Sequence, residues 1–120
     1  MLEAIVNGAR VPAVNLGCLD RGGVTSVNAE RIFEGKRSVV LGVPGAFTPV
    51  CTKEHVPDFV GSADRLVASG FDQLLCISPN DPFVLEAWQE LVDPHRKLTF
   101  FSDGNLAFCR ALGLSLKNEE

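Results

Sequence analysis

The chain lacks the features that mark a membrane-spanning, metal-binding or disulfide-stapled protein. No apolar run approaches the roughly 20 residues of a membrane-spanning helix. Residues 1–4 do not join a basic segment to an apolar one, as a secretory leader would. The four cysteines lie far apart with no Cys-x-x-Cys pair, and no paired histidines suggest zinc. Cys51 and His55, four residues apart, are too few ligands for a metal site. We therefore expect a cytoplasmic protein with no metal and no cofactor.

Strong charge of one sign is also missing. The formal net charge is −4, which argues against nucleic acid or an anionic membrane surface as the main partner. With 46% hydrophobic and 22% charged residues, the composition is that of an ordinary soluble globular domain rather than a disordered chain. The 120 residues contain no repeat, low-complexity segment or linker, and we expect a single domain over residues 1–120.

Strand and helix patterns alternate along the chain. A hairpin is predicted around residues 14–27, with a turn at residues 21–23. Further strands are predicted at residues 39–43, 74–77 and 98–101. Asn28, Thr48, Asp81 and Asn105 are predicted to cap helices, and Pro57 is expected to kink the second of these. Strands that alternate with helices indicate βαβ crossovers, and therefore an α/β fold with parallel pairing.

One segment places a cysteine where its thiolate is stabilised. The apolar strand at residues 39–43 ends in Pro44–Gly45, and Pro49 suits the first position of a helix. Cys51 then falls at the third helical position, with Thr48-x-x-Cys51 spaced as a capping box. A helix N-terminus favours negative charge by about 0.3–1 kcal/mol. The pattern therefore predicts a reactive thiol, although the helix alone does not account for fast chemistry.

Several motifs in this order resemble those of the peroxiredoxins. Pro44-x-x-x-Thr48-x-x-Cys51 matches the active-site pattern of that family. The similarity extends from about Val11 to Leu116 and is closest to the peroxiredoxin-5 and plant type II branch. The strings that carry it are Gly42–Val43–Pro44–Gly45–Ala46–Phe47–Thr48–Pro49 with His55–Val56–Pro57, Ser78-x-Asn80–Asp81–Pro82–Phe83–Val84 with Ala87–Trp88, and Asp103–Gly104 followed by Leu112–Gly113–Leu114.

The resemblance implies a thioredoxin-like fold and assigns roles to the site residues. Cys51 would be the peroxidatic cysteine, which peroxide oxidises to a sulfenic acid. The hydroxyl of Thr48 would act on the thiolate and the peroxide, and Pro44 would shield the sulfur. The amides around Val50 and Cys51 would hold the substrate oxygens. Phe47 would line the substrate pocket or form a dimer contact, an alternative that also applies to Phe83.

The other candidate residues have plainer interpretations. Cys76 lies within an apolar strand and is predicted to be a buried thiol. Plant type II relatives carry a second cysteine in this setting, and the alternative that the resemblance implies is that Cys76 would be the resolving cysteine. Cys18 and Cys109 are interpreted as packing or incidental thiols. His55 is expected to have a positioning role, and Trp88 to belong to the core.

The resemblance also implies that the chain is a C-terminally incomplete peroxiredoxin. The family continues beyond Leu116 into strands, a closing helix and an arginine that pairs with the thiolate. Without them, we expect an exposed sheet edge at residues 39–43 and no arginine at the sulfur of Cys51. The expected activity is reduction of hydrogen peroxide and alkyl hydroperoxides, with glutaredoxin and glutathione or thioredoxin as reductant, in a homodimer. The alternative is a non-catalytic thioredoxin-like redox module or inactive fragment.

Overall fold

A five-stranded mixed sheet, covered by helices, organises the residues that the computed structural model describes, 10–20 and 23–112. Its strands are β1 (Asn15–Asp20), β2 (Gly23–Asn28), β3 (Ser38–Gly42), β4 (Gln73–Ser78) and β5 (Thr99–Ser102). They lie side by side in the order β2-β1-β5-β4-β3. Strands β3, β4 and β5 are parallel, whereas β1 is antiparallel to both of its neighbours. The predicted hairpin and parallel pairing are confirmed. Residues 21 and 22 of the predicted turn lie outside the described residues.

Strand β3 forms one edge of this sheet. Within the described residues it pairs only with β4, from Ser38 opposite Gln73 to Gly42 opposite Ile77. The amide of Val43 extends this pairing by donating to the carbonyl of Ile77 at 3.0 Å. The exposed edge expected at residues 39–43 is therefore confirmed for the described part of the chain.

The helices are α1 (Ala29–Phe33), α2 (Val56–Ala68), α3 (Pro82–Val92) and α4 (Ala107–Ala111). Two predicted caps are confirmed. The Asn28 side chain accepts a hydrogen bond from the amide of Glu30 at 2.8 Å, and Asp81 accepts one from Val84 at 2.9 Å. None of the helices described here is long and apolar enough to cross a membrane.

The start of α4 differs from the prediction. Asn105 accepts one hydrogen bond, from the amide of Ala107, but it does not begin the helix. Leu106 lies between them in the left-handed region, with φ at 62°. The buried carboxylate of Asp103 accepts from the amides of Phe108 and Cys109 at 2.9 and 3.0 Å. The main cap is therefore Asp103, because the chain folds back before the helix begins.

Successive residues of β4 contribute to two separate cores, one on each face of the sheet. Leu74 and Cys76 pack into the first core, which includes Cys51 and Trp88. The alternate residues of β4 pack into the second core with Leu16 and Phe108. This alternation follows from the two-residue period of a strand. One face of β4 therefore packs in the same core as Cys51.

The helix that carries Cys51 is irregular. Pro49 and Val50 are helical, and a π-helical turn over Cys51–His55 then leads into α2. In this turn the amide of Val56 donates to the carbonyl of Cys51, five residues back. Pro57, which has no amide hydrogen, follows directly. The distortion expected near Pro57 thus takes the form of a π-helical turn, a type of irregularity that is frequent at functional sites.

Candidate active site

Cys51 lies just beyond the carboxyl end of β3, where ligand sites of parallel sheets commonly form. Its side chain is only 3% exposed and packs in the first core with Val43, Val56 and Trp88. It occupies the third helical position after Thr48, as predicted, because the amide of Thr52 donates to the carbonyl of Thr48 at 2.9 Å. The helix N-terminus and the largely buried sulfur thus come together as the sequence indicates.

The hydroxyl of Thr48 does not complete the predicted capping box. It points back along the loop and donates to the carbonyl of Gly45 at 3.0 Å. A methyl group added to Gly45 would lie 3.3 Å from the methyl carbon of Thr48. Thr48 is therefore held by the backbone of its own loop. Because the hydroxyl uses its hydrogen there, its oxygen lone pairs are the groups left to meet a donor near Cys51.

Aromatic contacts close the loop against the core. Phe47 has φ at 62°, a left-handed conformation that is unfavourable for a bulky residue. Its ring lies 6.4 Å from that of Trp88 between centroids. The fully buried Trp88 donates its indole hydrogen to the hydroxyl of Thr52 at 3.1 Å. Trp88 was predicted to be a core residue, which is confirmed, but it also binds the residue next to Cys51.

Asn80, at the carboxyl end of β4, forms the second connection to the loop. Its side-chain oxygen accepts a hydrogen bond from the amide of Ala46 at 2.7 Å. The same oxygen accepts from the hydroxyl of Ser78, also at 2.7 Å. Asn80 and Ser78 belong to a motif of the sequence resemblance, but no role followed from it. Only the register of β4 beside β3 brings Asn80 to Ala46, 34 residues earlier in the chain.

Several predicted site residues are exposed to solvent. Pro44 follows the buried Val43 and is exposed. Phe47 is 53% exposed and Val50 49% exposed. Phe83, in the first turn of α3, is 63% exposed. Apolar side chains in the loop before Cys51 and at the start of α3 are therefore exposed to solvent.

Cys76 lies behind the site rather than in it. It is fully buried in the middle of β4, opposite Leu41 and Phe100 of the neighbouring strands. Burial raises the pKa of the Cys76 thiol to about 12, and the nearby charges of Cys51 and Asp93 act in the same direction. Cys76 is therefore a protonated thiol at neutral pH, in the same core as Cys51.

Arg96 and Arg110 do not bind Cys51. Arg96 is bound to Glu86 at 2.6 Å and to Glu90 at 3.0 Å, and Arg110 is exposed. Within residues 10–20 and 23–112, no arginine donates a hydrogen bond to the sulfur of Cys51. The same residues contain no group of three or more side chains that could hold a metal ion. Within the described residues, the feature beside Cys51 that favours negative charge is therefore the start of its helix.

The comparison with known proteins agrees with this geometry. A family model described as Redoxin matches residues 6–120. Peroxiredoxin-2C of Oryza sativa subsp. japonica is 40% identical over 120 residues, and Peroxiredoxin-2D of Arabidopsis thaliana is 38% identical over 116. The alignments cover 99% and 96% of this chain, and 74% and 72% of the relatives. The chain belongs to the peroxiredoxins.

Solved peroxiredoxin structures share the fold. Reduced Prx3 from Vibrio vulnificus, in complex with hydrogen peroxide, aligns with a TM-score of 0.88 at 35% identity and covers 95% of this chain. Peroxiredoxin 5 from Alvinella pompejana aligns with a TM-score of 0.81 at 32% identity. This chain covers 72% and 70% of those two chains, respectively. The predicted thioredoxin-like peroxiredoxin fold, and the resemblance to the peroxiredoxin-5 and plant type II branch, are confirmed.

Proposed function

We propose that this peroxiredoxin reduces hydrogen peroxide and small alkyl hydroperoxides, with Cys51 as the nucleophile. The observation that carries the proposal is the placement of a nearly buried thiol at a helix N-terminus, immediately after the loop of Pro44 and Thr48. The thiolate is the reactive form of cysteine, and a helix N-terminus favours it. A solved relative from Vibrio vulnificus, which binds hydrogen peroxide, adds support for the substrate class.

The chemical step is a displacement at oxygen. The Cys51 thiolate attacks one peroxide oxygen, so a sulfur–oxygen bond forms while the oxygen–oxygen bond breaks. The departing alkoxide or hydroxide takes up a proton and leaves as alcohol or water. Cys51 is oxidised to a sulfenic acid, and the peroxide is reduced. A thiol then attacks the sulfenic sulfur and releases water, and a second thiol reduces the resulting disulfide.

The loop residues have distinct parts in this step. The amides of Val50 and Cys51, near the start of the helix, would donate to the peroxide oxygens. The oxygen of Thr48, whose own hydrogen goes to Gly45, would accept a hydrogen bond from the bound peroxide. Pro44 and Phe47 would keep water from the sulfur. These groups would therefore either bind the peroxide or exclude water at Cys51, where the sulfur–oxygen bond forms.

The reductant is proposed to be external. Glutaredoxin with glutathione, or thioredoxin, would supply the thiols that regenerate Cys51. Resolution by Cys76 is the other proposed route. It requires local opening of β4, because Cys76 is fully buried and its raised pKa keeps it protonated.

Peroxide consumption tests the proposed activity. Wild-type protein with hydrogen peroxide and either reductant system should turn over, and Cys51→Ser should not. A sulfenic-acid probe should label Cys51 after one peroxide addition, and the probe's location should be mapped by mass spectrometry. Label found mainly on Cys18, Cys76 or Cys109 would contradict the assignment of the nucleophile.

One observation favours the second candidate, a redox module that is oxidised once and does not turn over. No arginine within the described residues reaches Cys51, so part of the expected charge stabilisation is missing there. Stoichiometric oxidation of Cys51 with no catalytic turnover under both reductant systems would favour this candidate over the peroxidase.

Dimer formation and location are further proposals. The exposed side chains of Phe47, Val50 and Phe83 suit a homodimer contact, and sedimentation of wild type against Phe83→Asp would measure it. Cytoplasmic location stays a prediction, since relatives include proteins named as chloroplastic and mitochondrial.

A further inference from the structure

We infer that Asn80 is a positioning residue for the peroxide-reactive loop, acting through the hydrogen bond that its side-chain oxygen accepts from the amide of Ala46. The inference rests on the proposed peroxidase function, which it extends to a residue outside the Pro44-x-x-x-Thr48-x-x-Cys51 motif. Asn80 lies on a different strand–helix connection from Cys51. It acts on the loop rather than on the substrate.

The loop needs such support because part of it is strained. Phe47 is left-handed with φ at 62°, and non-glycine residues hold that conformation only where the surroundings enforce it. The residue just before it, Ala46, donates its amide to Asn80 at 2.7 Å. This bond ties the strained turn to the connection that follows β4. The residue just after Phe47 is Thr48, so a shift of the turn displaces the proposed catalytic hydroxyl.

Asn80 is itself well fixed. The hydroxyl of the buried Ser78, at the end of β4, donates to the same oxygen at 2.7 Å. Ser78 in turn accepts through its backbone carbonyl from the amide of Asp103 at 2.8 Å. The acceptor that holds Ala46 is therefore connected to two strands of the sheet. Because this acceptor oxygen is fixed, the Ala46 amide that binds it is held at a fixed position relative to the sheet.

The two hydrogen bonds predict which substitutions are tolerated. Both use the oxygen of Asn80 as acceptor, and a carboxylate of the same length can accept both. Asn80→Asp should therefore keep the loop in place, whereas Asn80→Ala leaves Ala46 without its partner. Asn28→Ala is a matched control, since Asn28 also accepts from a backbone amide, at 2.8 Å, but caps α1 far along the chain from the site.

The experiment measures the rate of Cys51 oxidation by hydrogen peroxide per folded molecule, together with backbone hydrogen exchange of residues 43–50. Misplacement of a catalytic group by about 1 Å lowers a rate by up to about a hundredfold, so Asn80→Ala should react at least roughly tenfold more slowly. Its exchange should rise over residues 43–50 while β4 stays protected. Asn80→Asp should react within about threefold of the wild-type rate. The control Asn28→Ala should react at the wild-type rate. Alkylation of Cys51 by iodoacetamide should slow less than peroxide oxidation in Asn80→Ala.

Two results would overturn the inference. One is a wild-type oxidation rate in folded Asn80→Ala, which would make Asn80 a purely structural residue. The other is hydrogen exchange of residues 43–50 in Asn80→Asp that is as fast as in the alanine variant, which would exclude the acceptor role. If the alanine variant does not fold, Asn80→Gln takes its place. Glutamine moves the acceptor oxygen by one methylene, so Cys51 of this variant should also be oxidised slowly. A wild-type oxidation rate in Asn80→Gln would equally contradict the inference. Wild-type protein that does not react with peroxide would refute the proposed function, and the exchange comparison would still decide the role of Asn80.

Discussion

Alkaline pH should destabilise this protein, and the buried thiol of Cys76 should contribute a large share of the loss. The thiol of Cys76 is fully buried in β4, and burial raises its pKa from an ordinary 9.0 to about 12. In the unfolded chain the same thiol ionises near its ordinary value. Between these two values the unfolded state binds fewer protons than the folded state, so stability falls as pH rises.

The expected magnitude follows from this window. Below about pH 9 both states keep the thiol protonated, and its burial is not penalised. Above it, stability falls by about 1.4 kcal/mol per pH unit for each thiol until the folded pKa is reached. From pH 8 to pH 10.5 the loss due to Cys76 should be about 2 kcal/mol, a large share of the stability of a small domain.

Urea unfolding at the two pH values measures this loss, followed by the fluorescence of Trp88, the single tryptophan of the chain. Cys76→Ala should be less stable than wild type at pH 8, because it leaves a cavity. Its further loss on going to pH 10.5 should be smaller than that of wild type by about 2 kcal/mol. Part of the remaining loss in both proteins belongs to Cys109, whose pKa burial raises to about 11. An identical alkaline loss in wild type and Cys76→Ala would refute the reasoning.

Two substitutions in the active-site loop test the role of Thr48. Thr48→Val removes the hydroxyl that donates to Gly45, so it should lower stability by about 1 kcal/mol and the peroxide rate of Cys51 by at least roughly tenfold, whereas Thr48→Ser should restore the rate. A stability loss with an unchanged rate per folded molecule would make Thr48 a structural residue only. Gly45→Ala, whose methyl would press on Thr48, should slow the reaction by roughly threefold. The control Gly61→Ala, on the open surface of α2, should leave the peroxide rate unchanged and add about 0.5–1 kcal/mol of stability. If Gly45→Ala and Gly61→Ala slow the reaction equally, the effect of Gly45→Ala is not specific to Thr48.

The features that the sequence by itself determined are local ones. The caps Asn28 and Asp81 were predictable because a short polar side chain bonds an amide two or three residues away. The position of Cys51 in the first helical turn was predictable for a similar reason, since Thr48 and Pro49 mark where a helix begins. Strand and helix alternation likewise indicated parallel pairing without reference to the rest of the molecule.

Only the tertiary structure decided which distant residues support that cysteine. Asn80 reaches Ala46 and Trp88 reaches Thr52 across 34 and 36 residues, and nothing in the spacing of these residues indicates the contacts. They depend on the parallel register of β4 beside β3 and on the packing of α3 against the first core. The same holds for the direction of the Thr48 hydroxyl, since the fold of the loop places the carbonyl of Gly45 within its reach. Local chemistry placed Cys51, the proposed nucleophile, at the start of its helix, and long-range packing determined the surroundings of that residue.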